Sequence, residues 1–173
     1  MRTQPLWPRL MICLFLLGIN CQISAEDSQS SKSIQPYQLR GLRSVSFIAI
    51  VGTEIPNNYE IGNKIEPIAR KLLTKAGLTI SNKEDSALVT LVSSYPIEVE
   101  ALSEYVLIEV STELNEGVRL LRKPSPRTAV NGITWHRRFV DVIPFADIES
   151  HILKIAEYQL DSFIVDLNTA EGR

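Results

Sequence analysis

The stretch ITWHRR, residues 133–138, brings together a tryptophan, a histidine and two arginines, side chains able to stack, transfer protons and bind anions. A catalytic histidine needs a carboxylate to orient it or a nucleophile to activate within hydrogen-bond reach. The chain has two histidines, His136 and His151. Neither stands in a sequence motif of serine hydrolases, zinc proteases or nucleotide-binding loops. We therefore expect Trp135 to be a packing aromatic of a strand, and the protein not to be an enzyme.

A small hydrolase or metal enzyme that uses His136 is the alternative to a non-enzymatic protein. The carboxylates are scattered along the chain, so a zinc site could form only if the fold happened to bring several of them together with the histidines. We expect no metal and no cofactor. The remaining class of function is the binding of a partner.

Charged residues are distributed unevenly in the second half of the chain. From Glu84 to Gly117 there are eight acidic residues and no Lys or Arg, whereas residues 118–138 contain bases and no acid. The bases are Arg119, Arg122, Lys123, Arg127, Arg137 and Arg138. These six are the candidate partner-binding residues. Such a group attracts an anionic lipid, a lipopolysaccharide phosphate or the acidic surface of an envelope protein.

Ion pairing within the fold is the competing interpretation of the same charges. In a hairpin that closes within KPSP, residues 123–126, Glu109 and Glu113 lie across from Arg137 and Arg138. Cross-strand pairs stabilise a hydrated sheet face by about a few tenths of a kcal/mol each. We favour ion pairing for these two arginines. Both interpretations stay open for the four bases at the hairpin tip.

Residues 1–25 have the features of an export signal. Arg2 and Arg9 precede an apolar run of ten residues, and Ala25 ends a stretch suited to cleavage. The run is too short to span a bilayer, which takes about 20 residues. Lipidation of Cys21 is the alternative, although the preceding Gly-Ile-Asn does not match a lipoprotein signal. We expect an exported, periplasmic or secreted protein, attached to the outer membrane only if Cys21 is lipidated.

Cleavage after Ala25 would leave 148 of the 173 residues and no cysteine, which excludes disulfides and thiolate metal sites. The loss of Arg2 and Arg9 lowers the number of Lys and Arg from 18 to 16, against 20 acidic residues, and gives a net charge of −4. Binding to nucleic acid requires a surplus of cations to neutralise phosphates. We therefore expect no nucleic-acid partner.

The sequence predicts one domain, residues 41–168, between a polar flexible leader, residues 26–40, and a short tail, residues 169–173. Val45, Phe47, Ala49 and Val51 share one parity of a first strand, and the other parity ends in two isoleucines. This pattern is typical of a largely buried strand.

Two amphipathic helices follow from apolar residues at helical spacing, one between Tyr59 and Ala76 and one after Asp147, which is placed to cap it. Pro67 either separates the first turn of the first helix or kinks it. Gly77 stands where a left-handed C-terminal cap belongs. The stripe of the second helix comprises Ile148, Ile152, Ile155, Ala156, Leu160, Phe163, Ile164 and Leu167.

The segments between the helices predict strands that end in a long hairpin. Residues 78–80 and 87–93 indicate one strand interrupted by a polar turn or bulge. Residues 105–121 alternate apolar and polar side chains, with Gly117 as a candidate bulge, and residues 127–142 form the returning arm. The order β-α-β-β-β-α predicts an α+β two-layer sandwich. Two helices pack on one face of a four-stranded, mostly antiparallel sheet, and the opposite face is hydrated.

Two resemblances rest on particular stretches. VRLLRKPSP, residues 118–126, followed by a strand with Thr134 and Trp135 and a terminal helix, resembles a family of exported bacterial proteins without assigned activity. KLLTKAGLTI, EYVLIEVSTEL and WHRRFVD are similar to a helix end, a long strand and a basic strand of the lipopolysaccharide-assembly lipoproteins. The second resemblance implies a non-catalytic plug and chaperone of an outer-membrane barrel, with a basic surface that meets lipopolysaccharide.

Overall fold

The computed structural model describes residues 39–82, 85–119 and 129–173. The predicted signal peptide lies outside these residues, as does the predicted leader up to residue 38. Leu39, which the sequence pattern assigns to the leader, is buried in the same apolar cluster as Leu73 and Leu167. The core therefore includes chain that precedes the predicted domain boundary.

The described chain folds as an α+β domain, as predicted. Its strands are β1 Ser44–Val51, β2 Thr79–Ile80, β3 Ala87–Pro96, β4 Tyr105–Arg119 and β5 Ala129–Pro144. Its helices are α1 Asn58–Lys75 and α2 Ile148–Glu171. Short 3-10 turns at Glu100–Leu102 and Phe145–Asp147 precede β4 and α2. Helix α2 thus extends into the segment that the sequence assigned to the tail.

The strands form one mixed sheet in the order β2-β1-β3-β4-β5, with five strands rather than the predicted four. Strands β2 and β3 both pair with β1 in parallel, on opposite sides of it, whereas β3, β4 and β5 are antiparallel neighbours. The predicted interrupted strand is therefore two strands. A bulge would have kept both segments in one ladder, but here the chain after Ile80 crosses from one side of β1 to the other.

Both helices pack on the same face of the sheet, as predicted. In β4 the buried residues on this face are Val106, Ile108, Val110, Thr112 and Leu114. These strand residues share two apolar clusters with side chains of α1 and α2. Of the predicted α2 stripe, only Ile164 is less than fully buried. The two-layer arrangement thus follows from one apolar face on each element.

The β4–β5 hairpin has its irregularity near Thr134 rather than at Gly117, where the sequence placed a candidate bulge. Leu114 pairs with Trp135 and Asn115 with Ile133, so Thr134 is an extra residue on β5. The Thr134 hydroxyl donates a hydrogen bond of 2.6 Å to Glu116. An extra residue reverses the alternation of the strand, and it allows Trp135 to point into the core.

Helix α1 ends as the sequence predicts. Gly77 has φ of 88°, the left-handed conformation that favours glycine. Its N–H donates to the carbonyl of Thr74, and the N–H of Leu78 donates to the carbonyl of Leu73, each at 3.0 Å. This pair of bonds is the Schellman motif. It turns the chain so that Leu78, which is buried, enters the core just before β2.

Two other predictions about the helices are corrected. Separation of the first turn of α1 at Pro67 is wrong, because Pro67 lies exposed within one continuous helix, whereas a kink there stays a prediction. Asp147 occupies the position before α2, but its side chain makes no capping hydrogen bond. Instead the hydroxyl of Ser150 donates to the backbone carbonyl of Asp147 at 3.0 Å. The turn Phe145–Asp147 leads the chain into α2, so its backbone starts the helix without the predicted cap.

Gln159 is a buried polar residue in the middle of the α2 stripe, with 1% of its surface exposed. Its Nε2 donates to the carbonyl of Val110 at 2.8 Å, and its Oε1 accepts from the hydroxyl of Thr112 at 2.7 Å. That hydroxyl lies 3.1 Å from the hydroxyl of Thr90. A buried amide is stable only when its donors and acceptors are paired, so this chain of bonds fixes α2 against β3 and β4.

Replacing Gln159 with leucine should lower the free energy of unfolding by about 1–3 kcal/mol, because the Thr112 hydroxyl and the Val110 carbonyl lose a buried partner while the side-chain volume is nearly kept. Urea unfolding followed by circular dichroism measures the change. A triple variant with Thr90→Val, Thr112→Val and Gln159→Leu removes all three buried polar side chains. It should regain part of the free energy of unfolding that the single variant loses. Unaltered stability of the single variant would contradict the anchoring role.

Candidate functional site

The tip of the β4–β5 hairpin, where the sequence places its basic cluster, falls mostly between the described segments. Arg122, Lys123 and Arg127 lie outside the described residues. Arg119 ends β4 in register with Ala129, and its side chain also lies outside the described part. Anion binding at these four positions therefore stays a prediction.

The other two candidate bases form ion pairs. Arg138 Nε lies 2.6 Å from Glu109 Oε1 on the neighbouring strand. The hydrogen bond to Glu109, together with its negative charge, raises the pKa of Arg138 above its ordinary value. Arg137 Nη2 lies 3.5 Å from Asp166 Oδ2 of α2. Ion pairing is the interpretation that the sequence favoured for both, although Arg137 pairs with a helix and not across the hairpin.

Strand alternation explains why the two arginines have different partners. Thr112 and Arg137 are opposite each other in register, and Thr112 is buried beneath the helices. Arg137 therefore points to the helix-covered face, and its neighbour Arg138 points to the uncovered face. Glu113, which the sequence placed across from the arginines, lies opposite His136 instead.

Trp135 is a packing aromatic, as predicted, and 3% of its surface is exposed. Its ring meets the ring of Phe163 edge to face, with 5.0 Å between centroids and 75° between planes. Its indole Nε1 donates to Asp166 Oδ2 at 2.9 Å. Asp166 thus holds both the Trp135 indole and the Arg137 guanidinium, and this cluster joins the edge strand β5 to α2.

The two histidines lie on opposite sides of the sheet and do not form one site. His136 is exposed on the uncovered face, opposite Glu113. On the helix side, His151 Nε2 lies 3.1 Å from Asp141 Oδ2, and its ring is 6.5 Å from that of Phe139. Among the described residues, no three or more His, Cys, Asp or Glu side chains are grouped in a way that would hold a metal ion. The hydrolase or metal-enzyme alternative that uses His136 stays untested.

The uncovered face of the sheet is more apolar than predicted. Ile48 is 46% exposed and Ile50 is 51% exposed, so the prediction of a largely buried first strand is wrong for this parity. Both helices lie on the other face, and these isoleucines share the parity of Ser44 and Ser46. Their exposure leaves apolar side chains in water on a face that the sequence predicted to be hydrated.

A larger group of exposed apolar side chains lies where β3 and β5 finish and β4 begins. We call this group the apolar end. It comprises Tyr95, Val99, Leu102, Tyr105, Val140, Val142 and Phe145. Tyr95 and Val142 both pair in register with Leu107 of β4, so they flank it on the uncovered face. The N–H of Phe145 donates to the carbonyl of Glu104 at 2.8 Å, which holds the end of β5 against the connection before β4.

Sequence reasoning missed the apolar end because its members come from five elements: three strands, the connection between β3 and β4, and the turn after β5. One signal was available within β5. The run FVDVIPF, residues 139–145, places apolar side chains on both parities of the strand. A strand with one hydrated face alternates strictly, so this run indicates a second apolar contact surface.

Acidic residues border the apolar end. Glu98, Glu100 and Glu104 are exposed in the connection between β3 and β4. The chain from residue 85 to residue 117 contains no Lys or Arg, and Arg138 is engaged with Glu109. The border of the apolar surface therefore has negative charge. An apolar centre with a polar border is the usual composition of a protein interface.

No protein-family model and no curated protein matches the chain. Among solved structures it is similar to a PelC dodecamer from Paraburkholderia phytofirmans, at 15% identity and a TM-score of 0.40, over 74% of this chain and 88% of that one. It is also similar to a minor lipoprotein from Acinetobacter baumannii, at 12% identity and a TM-score of 0.32, over 75% of this chain and 91% of that one. The chain is similar as well to rare lipoprotein B from Shewanella oneidensis, at 9% identity and a TM-score of 0.28, over 72% of this chain and 92% of that one.

These similarities are too weak to define a function for this chain. Within the described residues, neither helix has the length of apolar sequence that crossing a bilayer requires.

Removing the carboxylate of Asp166 should destabilise the attachment of β5 to α2. We expect Asp166→Ala to lower the free energy of unfolding by about 1–3 kcal/mol, because the indole N–H of Trp135 is left without its partner. Asp166→Asn keeps an oxygen acceptor for the indole and should cost less. Urea unfolding followed by tryptophan fluorescence measures both variants. Equal losses for the two substitutions would contradict the role of the hydrogen bond.

Proposed function

We propose that this chain is a non-enzymatic exported envelope protein that binds a partner protein through the apolar end. The observation that carries the proposal is the exposure of seven large apolar side chains at one end of the domain. These seven side chains belong to neither of the two buried apolar clusters of the core. A group of large exposed apolar side chains at one end of a domain is typical of an interaction site.

The charge at the border of the apolar end favours a protein over an anionic lipid. Glu98, Glu100 and Glu104 would repel phosphate groups, whereas they complement Lys and Arg on a partner protein. Tyrosines and phenylalanine are enriched in the centres of protein interfaces because their rings bury a large area. Tyr95, Tyr105 and Phe145 supply such rings here.

Export is supported by the predicted export signal, and the rest of the chain contains no cysteine. Residues 1–25 combine a basic start, an apolar run and small residues before the proposed cleavage site at Ala25. The described domain is held by apolar packing and by the Gln159 hydrogen bonds, and so its fold does not depend on oxidation or reduction of thiols. These features support an envelope location for the proposed binding function.

Site-specific photocrosslinking in cells tests the proposal. A photoreactive amino acid at Tyr95 or Val142 should trap one protein partner, and the same amino acid at Val165 should not. Val165 is a matched control because it is 61% exposed on α2, away from the sheet. The trapped partner is then purified, and its affinity for the chain is measured by calorimetry.

Substitution separates specific binding from incidental crosslinking. We expect Val142→Lys to weaken the affinity at least tenfold, because the interface would have to bury an unpaired charge. Val165→Lys should leave the affinity unchanged. Equal affinities for the original protein and Val142→Lys, or equal crosslinking from both positions, would overturn the proposed interface.

A further inference from the structure

Strand β1 lies next to an open edge of the sheet over most of its length. On that side β2 pairs only with Ser44 and Val45. The N–H of Ser81 then donates to the carbonyl of Val45 at 3.0 Å, and among the described residues no strand continues the ladder beyond this point. Among the described residues, no strand therefore covers the edge from Ser46 to Val51.

The direction of the backbone groups along this edge follows from the bonds on the other side. The N–H of Ser46 donates to the carbonyl of Ser86, and the N–H of Gly52 donates to the carbonyl of Val92. Successive residues of a strand direct their hydrogen-bonding groups to opposite sides. The even-numbered residues of β1 therefore face β3, and the N–H and C=O groups of Phe47, Ala49 and Val51 face the open edge.

A groove of about 650 Å³ runs along this edge, between β1 and the first half of α1. Its lining includes Tyr59, Gly62 and Asn63 of the helix, with Asn82 beyond β2. Glu66 is its one charged lining residue among those described, and it is already paired with Arg70 at 2.9 Å. The groove is thus a neutral channel beside a row of backbone donors and acceptors, which is the chemistry of an added β-strand.

Natural edge strands are usually protected from pairing by charges, prolines, bulges or short length. The sequence SVSFIAIV of β1 contains no charged residue and no proline. Its six residues from Ser46 to Val51 pair with β3 without a bulge. Ile48 and Ile50 are about half exposed on the uncovered face beside the edge. An unprotected apolar edge of this length would promote uncontrolled association unless a defined partner covered it.

We propose that a second copy of this chain covers the edge, with the two β1 strands antiparallel about a twofold axis at Ala49. In this register Phe47 lies opposite Val51 of the partner subunit, and Ala49 lies opposite its own copy. All the outward N–H and C=O groups of these three residues then pair across the axis. The dimer has one continuous ten-stranded sheet.

The same register accounts for the exposed isoleucines. Residues opposite each other have numbers that sum to 98, so Ile48 lies opposite Ile50 of the partner subunit and Ile50 opposite Ile48 of the partner subunit. Both are non-hydrogen-bonded positions, where side chains of opposite strands approach most closely. The two exposed β1 side chains of each subunit thereby form apolar cross-strand pairs. The interface is isologous and closes after two subunits.

Disulfide trapping tests the register. The full chain has only Cys13 and Cys21, both in the segment predicted to be removed on export, and mass spectrometry of the exported protein verifies their removal. An equimolar mixture of Ile48→Cys and Ile50→Cys proteins should form a crosslinked dimer on mild oxidation, because their Cα atoms would be about 4.5 Å apart. Neither variant alone should crosslink, since residues with the same number lie on the longer diagonal.

Sedimentation equilibrium tests the dimer without oxidation. The exported protein should have twice the mass of one chain, and Ile48→Lys with Ile50→Lys should raise the dissociation constant at least tenfold through like-charge repulsion. Ile48→Lys with Ile50→Glu should restore the dimer, because each lysine then faces a glutamate of the other subunit. Circular dichroism establishes that each variant is folded.

Val140→Lys is the matched control and should leave the dimer intact, since it changes the apolar end and not the β1 edge. Unchanged partner binding by Val140→Lys with a retained dimer would thus count against the proposed function alone. A monomeric mass for the original protein would overturn the dimer. So would a dimer that survives Ile48→Lys with Ile50→Lys, or single cysteine variants that crosslink as strongly as their mixture.

Discussion

Both helices cover the same face of the sheet, and this one-sided packing is the constraint on which the rest of the structure depends. The Gln159 side chain supports it, because its buried amide bonds α2 to Val110 and Thr112 in the middle of β4, and the Thr112 hydroxyl lies within hydrogen-bond distance of Thr90 of β3. A sheet covered on one face has a second face and two edges that the chain itself does not bury. The apolar end and the β1 edge both lie on that unburied part of the sheet.

The sequence pattern predicts the layers of the fold well because apolar periodicity is a local property. The α2 stripe, the buried parity of β4 and the left-handed Gly77 all follow from residues within a few positions of each other. The fifth strand does not follow, since the assignment of Thr79–Ile80 to one side of β1 and of β3 to the other depends on pairing between distant segments. Gln159 was missed for a related reason: its partners Val110 and Thr112 are remote in sequence.

The charge pattern shows a similar division between local and distant information. Counting charges identifies Arg137 and Arg138 as residues of interest, and both are ion-paired in the structure. Their partners depend on strand parity, which an extra residue at Thr134 alters. The apolar end is harder to predict, because Tyr95, Tyr105 and Val142 come together only when three strands are in register. Sequence alone therefore identifies ion pairs more readily than a composite apolar surface.

The parallel pairing of β1 with β3 also sets the end of the sheet at which the chain enters β1. The chain enters β1 at the end of the sheet where β3 starts, and the apolar end lies where β3 finishes. Ten residues of extended chain span about 30 Å. A protein bound at the apolar end would therefore contact the domain at the opposite end of the sheet from the point where the chain enters β1.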